Sequence, residues 1–439
     1  MRRLALLLAS LAVAAPVAAA DPPPLAAAAG DRVSQESTGD PSMLAAADDI
    51  TRQVSALRGL TLARPFQKGV LSREAIGQKL RDRIAKEYTP AEIGVESRVL
   101  KRLGLLPPDA DYEQMLLDLL MEQVAGFYDP FARELYIADW VGMDLQRPAL
   151  AHEIEHALQD QHFDLKRFAS PLKEDGDRQL ARSALVEGDG MAVMLDFLAQ
   201  TMGIDTSKLP GAYDAMSEQV TSGVLAASPV FNRVPRFLRE TLLFPYVAGM
   251  KLVFALRKGH PWSRVDEAFK SPPESTEQVL HPEKYFAHEH PIAVTAAPIG
   301  ALPGRELRRD VLGELEWRLL FATRLSDGPA ERAAQGWGGD RMVAYGGDDG
   351  PVAVVDLSTW DSDDDAVQAE SALRKLLPKQ TNLPEVAPDA AAIYVVGDEA
   401  WSVERRGRQL LAMFGVPKAA QRAAADEVWA KWKVGAAKK

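Results

Sequence analysis

The amino-acid sequence predicts a predominantly helical α+β protein, and three observations carry that prediction. The chain has 439 residues, 47% hydrophobic and 26% charged, a balance that fits a folded globular chain and excludes a disordered, collagen-like or coiled-coil one. At roughly 100–200 residues per domain, this length makes two or three domains with a sizeable core. Up to about residue 300 the apolar residues recur mainly at helical spacing, and beyond it β-type runs become frequent. A net charge of −11 argues against nucleic acid or an anionic membrane surface as a partner. With no cysteine, disulfides, a thiol nucleophile, thiolate metal sites and a lipidated N-terminal cysteine are excluded.

Taken in order, Arg2 and Arg3 precede the apolar run Leu4 to Ala15, and the small residues Val17 to Ala20 precede Asp21 and Pro22 to Pro24. This is the layout of a cleaved signal peptide over 1–20, with Ala18 and Ala20 as the small pair at the cleavage site. About 12 apolar residues fall short of the ~20 that span a bilayer. No later run is long enough either; Leu242 to Leu256 comes closest and is broken by Pro245 and Lys251. The expected location is periplasmic or secreted, with no membrane span after signal removal. Residues 21–45, rich in Ala, Pro, Gly and Ser, read as a flexible linker.

Residues 46–110 read as a helical N-terminal segment, in which Leu71, Ala75, Ile76, Leu80 and Ile84 share one helical face behind the cap Ser72. Nothing in 21–110 marks a processing site, although the segment leaves room for an inhibitory pro-region. Pro107 and Pro108 break the chain before a helix over Tyr112 to Val124. Gly126 to Pro130 reads as a turn and Glu134 to Ala138 as a short strand. Pro148 sits near the start of a long helix, and further helices are expected over about 178–200 and 236–257, the latter kinked at Pro245. These belong to a domain spanning 111–300. Residues 301–439 form a C-terminal domain of unknown role, expected to be α/β, with strands at Val352 to Leu357 and Ile393 to Val396 and a closing helix over Ala419 to Trp432. Asp361, Asp363, Asp364 and Asp365 read as an acidic helix N-terminus. No internal repeat is visible.

The chemistry concentrates at His152-Glu153-Ile154-Glu155-His156. On a helix, residues i and i+4 share a face, so both imidazoles reach one ion. Zn2+ suits the pair, because it takes neutral imidazole and works with three protein ligands and an open position. Glu153 then lies beside that position, where it takes a proton from the attacking water and passes it to a leaving amine. The third ligand has three candidates: His162, an acid on the next helix, or a distant histidine. His162 lies too close along the helix to be delivered easily. Glu187, an acid behind the apolar run Ala184 to Val186 and followed by glycines that allow close approach, is the preferred ligand. Asp160, one turn after His156, is a candidate for orienting an imidazole. His281 reads as a satisfied surface histidine, and His288 and His290 likewise.

The His-Glu-x-x-His pair with a glutamate on the following helix resembles the gluzincin branch of zinc metallopeptidases. Val186-Glu187-Gly188 is similar to the segment that carries the third ligand in MA-clan aminopeptidases. Pro245-Tyr246-Val247-Ala248-Gly249 resembles their Tyr-x-x-Gly helix, whose tyrosine stabilises the oxyanion, and its spacing from Glu187 is similar. Segments such as Val124 to Pro130, Leu158 to Asp164, Thr276 to Tyr285 and Gly336 to Arg341 are similar to a group of exported bacterial proteins of the same clan. The resemblance implies a zincin-like catalytic domain with a small edge sheet over the His-Glu-x-x-His helix, the strand at Ala138–Asp139 being the edge that pairs with an extended peptide. It implies a peptide or protein substrate, with Tyr246 as oxyanion stabiliser.

Two departures limit the resemblance. The gap from His156 to Glu187 is longer than the usual gluzincin spacing, and the aminopeptidase segment that holds a free amine is absent. Substrate, endo- or exo-cleavage and oligomeric state are not readable. The expected function is an exported zinc metallopeptidase. The alternative is a non-catalytic peptidase-like scaffold that binds an envelope protein or peptide, which would have no need of Glu153.

Overall fold

The chain enters on a helix where a linker was expected. The computed structural model describes residues 41–123, 126–204, 231, 233–384 and 392–436, so the expected signal peptide and most of the linker lie outside the described residues. Helix α1 (Pro41–Arg58) overlaps the end of the predicted linker because Ala47, Ile50 and Val54 form a fully buried stripe that outweighs the small-residue composition around them. A strand, β1 (Gln67–Leu71), follows, so the N-terminal segment is not wholly helical and Leu71 is not part of the helix assigned to it. Ser72 caps α2 (Arg73–Glu87) by accepting the Ala75 N–H, and Ile76, Leu80 and Ile84 are its buried face. Helices α3 (Pro90–Arg102), opened by a Thr89–Glu92 capping box, and α4 (Tyr112–Gln123) complete the lead-in.

Strands β2 (Gly126–Asp129) and β3 (Glu134–Ala138) form a hairpin. The small sheet has the order β1-β3-β2, with β1 parallel to β3. Two expectations are corrected here. Gly126 to Asp129 is a strand rather than a turn; its Gly and Asp-Pro signals mark only its ends. Glu134 to Ala138 is paired on both sides, so the edges are β1 and β2 and not the strand leading to Asp139.

The sheet lies over α5 (Met143–Phe163), where Tyr128, Leu135 and Ile137 share a cluster with Leu150, Ile154 and Leu158. Helix α5 starts earlier than expected, which leaves Pro148 in its interior. Helix α6 (Gly176–Thr201) packs on α5, and α7 (Arg236–Arg257) packs on α6. The last pair touches backbone to backbone: a Cβ on Gly188 would lie 2.2 Å from the Gly249 carbonyl carbon, and one on Gly249 only 1.9 Å from the Ala184 oxygen. Helix α8 (Ser263–Lys270) closes this layer.

Beyond residue 300 a six-stranded sheet has the order β5-β6-β7-β10-β9-β8, from β5 (Arg305–Asp310), β6 (Trp337–Gly346), β7 (Ala353–Trp360), β8 (Ala392–Val396), β9 (Glu399–Arg406) and β10 (Gln409–Pro417). Every pairing is antiparallel, so this unit is α+β and not the α/β domain expected. The numbering leaves β4 for Val294–Thr295, which pairs with a closing strand, β11 (Lys433–Val434). The helix over Asp363–Thr381 begins with the expected acidic turn behind its cap Ser362. One apolar cluster runs from Ile76 in α2 to Phe414 in β10, so the sheet shares its core with the helices before it. About 54% helix and 18% strand make the chain α+β and mainly helical. Among the described residues no helix is long and apolar enough to cross a membrane.

Because the α6–α7 crossing has no space for a side chain, Gly249→Ala is expected to destabilise the protein by about 1–3 kcal/mol in a denaturant titration. A change below about 0.5 kcal/mol, ordinary for an exposed site, would show that the helices part without cost.

Candidate metal centre

Residues Ala149 to Asp160 of α5 are all buried, although six of the last nine are polar or charged. Burial of such groups is tolerated only where they satisfy one another. Here α6 supplies the partners. Its Glu187 side chain enters between the two imidazoles of α5: His152 Nε2 lies 3.1 Å and His156 Nε2 3.5 Å from Glu187 Oε2, and the two Nε2 atoms are 3.0 Å apart. These three residues form one of two His/acid groups able to hold a metal among the described residues. The other, Glu277, Glu289 and Asp361, is already centred on the ammonium of Lys284, at 2.7, 2.7 and 2.6 Å.

The donor set fits zinc. Bonds of 2.0–2.1 Å in a tetrahedron space neighbouring ligand atoms by about 3.3 Å, and the observed spacings bracket that value. Glu187 Oε1, buried, has no hydrogen-bond partner among the described residues, as a carboxylate reserved for a cation would leave it.

Each residue of Glu187-Gly188-Asp189-Gly190 has a separate task. Gly188 makes the contact with α7 described above, and Gly190 leaves room for the His152 ring, whose Cε1 a Cβ would meet at 2.8 Å. Asp189 accepts from Arg58 of α1, Nε to Oδ1 at 2.9 Å and Nη2 to Oδ2 at 3.2 Å. Gln159 of α5 donates its amide to Asp189 Oδ2 at 2.9 Å and to the Val186 carbonyl at 3.1 Å. With both amide hydrogens used, Gln159 Oε1 must accept, and His156 Nδ1 lies 2.8 Å away. His156 Nδ1 therefore carries a proton, and its Nε2 can present a lone pair to a cation. Gln159 is thus the residue that orients the ligand. Asp160, the candidate from spacing, accepts instead from the Tyr128 hydroxyl at 2.9 Å and the Leu165 N–H at 3.2 Å. His162 bonds the Thr61 carbonyl at 2.8 Å, away from the site.

Glu153 is fully buried, and its Oε2 accepts the Tyr128 N–H of edge strand β2 at 2.8 Å. Tyr246, on α7, stacks on His152 with ring centroids 6.1 Å apart and an interplanar angle of 30°, among Met191, Met194, Leu195 and Met250. His281 pairs with buried Glu314 at 2.9 Å, and His290 with Glu274 at 2.7 Å, so neither serves this centre. Spacing and composition did not single out Gln159, Asp189 or Arg58. Only the Asp in the glycine-flanked segment gave any signal.

Electrostatics around the pair are asymmetric. Burial, then the charge of His156, lowers the pKa of His152, so this ring is neutral. Burial opposes a charge on His156 too, but the carboxylates of Glu187 and Glu153 push its pKa up to about 9. Burial and the neighbouring Asp189 raise Glu155 well above the usual carboxylate range, against the opposing pull of Arg58.

A family described as a domain of unknown function (DUF8575) matches residues 301–428, a stretch that contains the six-stranded sheet and none of His152, Glu153, His156, Glu187 or Tyr246. No curated protein and no solved structure matches the chain.

Because His156 holds a proton below about pH 9 when no cation is present, a cation must displace it. Calorimetric titration of the metal-free protein with Zn2+ at pH 7, in buffers of different ionisation enthalpy, is expected to release about one proton per ion. Affinity should climb as pH rises from 7 toward 9. Binding with no proton release and no pH dependence would contradict this arrangement.

Proposed function

We propose that the protein is an exported zinc-dependent metallopeptidase of the gluzincin type, with a peptide or protein substrate. The observation that carries this reading is the convergence of His152 Nε2, His156 Nε2 and Glu187 Oε2 within 3.0–3.5 Å, with Glu153 next to His152 on the same turn of α5. In this reading His152, His156 and Glu187 hold the ion. Bound there, zinc supplies a Lewis acid that polarises the scissile carbonyl and lowers the pKa of water.

Glu153 accepts the proton of the attacking water and delivers it to the nitrogen of the leaving amine, so water and one peptide bond become a carboxylate and an amine. Tyr246, packed against His152, donates its phenol O–H to the developing oxyanion. Strand β2 is an edge whose outer side faces Glu153, a position from which a sheet edge can pair with an extended peptide. The layout of the first 20 residues supports export.

A non-catalytic scaffold is the second reading, and one observation favours it. Glu153 has no solvent exposure and one carboxylate oxygen engaged by the Tyr128 N–H, a closed arrangement that suits binding as well as turnover.

Glu153→Gln separates the two. Peptidase chemistry predicts that this variant keeps its zinc and loses hydrolysis of a mixed peptide library by a factor of about 10²–10⁴. Tyr246→Phe is expected to lower kcat about a hundredfold with KM nearly unchanged. Cleavage by Glu153→Gln at the wild-type rate would sink the mechanism. A wild-type protein that binds zinc and cleaves nothing would favour the scaffold.

A further inference from the structure

The chain of contacts behind His156 does not end at Gln159. It continues through Asp189 into α1, outside the stretch that carries the His-Glu-x-x-His pair and Glu187. Arg58, the last residue of α1, is 1% exposed. Its planar fork grips both oxygens of Asp189; the same Nη2 also lies 2.8 Å from Asp266 of α8, Nε lies 3.6 Å from Glu155 of α5, and the Trp262 ring is 4.5 Å from the guanidinium carbon. Asp189 spends one oxygen on both Arg58 and Gln159. Turning the Gln159 amide over would set its oxygen against the Val186 carbonyl and the Asp189 carboxylate, so the amide holds one orientation only while Asp189 remains in place.

We propose that Arg58 is a positioning residue of the metal centre: by fixing Asp189 it fixes the Gln159 amide, which holds His156 as the Nδ1–H tautomer with Nε2 turned to the ion. The proposal rests on the metal-site reading and extends it to a helix that the sequence places before the catalytic region. It makes α1 a component of the site and not a removable pro-region. A bidentate guanidinium is needed for this, since a Lys ammonium is a point charge that cannot hold both carboxylate oxygens in one plane.

The test is the affinity of the full mature chain for Zn2+, measured against a chromophoric chelator. Arg58→Lys keeps the charge and loses the fork; Gln159→Met keeps the volume and loses the bond to His156. Each is expected to weaken zinc binding about tenfold, the lower end for loss of a residue that orients a metal ligand. The double variant should bind no more weakly than Gln159→Met alone, because Arg58 acts only through Gln159. The visible spectrum of the Co2+-loaded protein should change alike in all three.

Melting of the metal-free proteins identifies variants that fail to fold. Should Arg58→Lys be among them, Asp189→Asn, which keeps an oxygen for Gln159, replaces it in the same cycle with the same expectation. Losses that multiply in the double variant, or wild-type affinity in Arg58→Lys, would overturn the role given to Arg58 while leaving the metal site intact. A wild-type chain that binds no zinc would overturn both.

Discussion

Glu187 carries a carboxylate into the protein interior with no solvent exposure, and the surrounding architecture follows from that. Its α6 backbone is pressed against α7 at Gly188 and Gly249, which fixes how far the side chain reaches toward α5. Two imidazoles receive it on one side. On the other, Asp189 brings a second buried carboxylate, which Arg58 neutralises with Gln159 as a further donor. A buried ion pair of this kind contributes little net stability over apolar packing, but removing one partner costs roughly 3–5 kcal/mol. The cluster is therefore better understood as a device that specifies geometry than as one that stabilises the fold.

The centre was legible in the sequence to the extent that its residues lie on two regular helices. Spacing alone puts His152 and His156 on one face, and an acid amid apolar neighbours points to Glu187. The orienting residue was harder to find. A four-residue step selects Asp160, whereas three residues also return to the same helical face, and Gln159 takes that place because its amide alone can both donate to Asp189 and accept from His156. Arg58 left no local trace, since its partner lies on α6 and nothing in a single sequence pairs the two.

Errors in the fold have equally local causes. Gly126 and the Asp129-Pro130 step read as a turn although the two residues between Gly126 and Asp129 need only one neighbouring strand to extend. The pairing of β1 with β3 depends on a contact between segments far apart in the chain, so β3 looked like the edge. Antiparallel order beyond residue 300 was likewise hidden, because strand runs reveal their existence and not their direction. The acidic turn after Ser362 was readable because capping is a property of adjacent residues.

The N-terminal helix and the C-terminal sheet both act on the centre from outside the motif. Helix α1 supplies Arg58 directly. The sheet supplies support through Asp310 on β5, which accepts the Gly176 N–H at the start of α6 at 2.7 Å; the short helix at Thr276–Leu280 adds a second anchor, its Thr276 hydroxyl donating to Asp177 on α6 at 2.5 Å, so the helix that carries Glu187 is held at its first turn.

The most direct test of the account is where a metal sits. Crystals of the full mature chain grown with zinc and measured at the zinc absorption edge should give one strong anomalous peak about 2.0–2.2 Å from His152 Nε2, His156 Nε2 and Glu187 Oε2. No peak there, or a peak only at Glu277, Glu289 and Asp361, would contradict it.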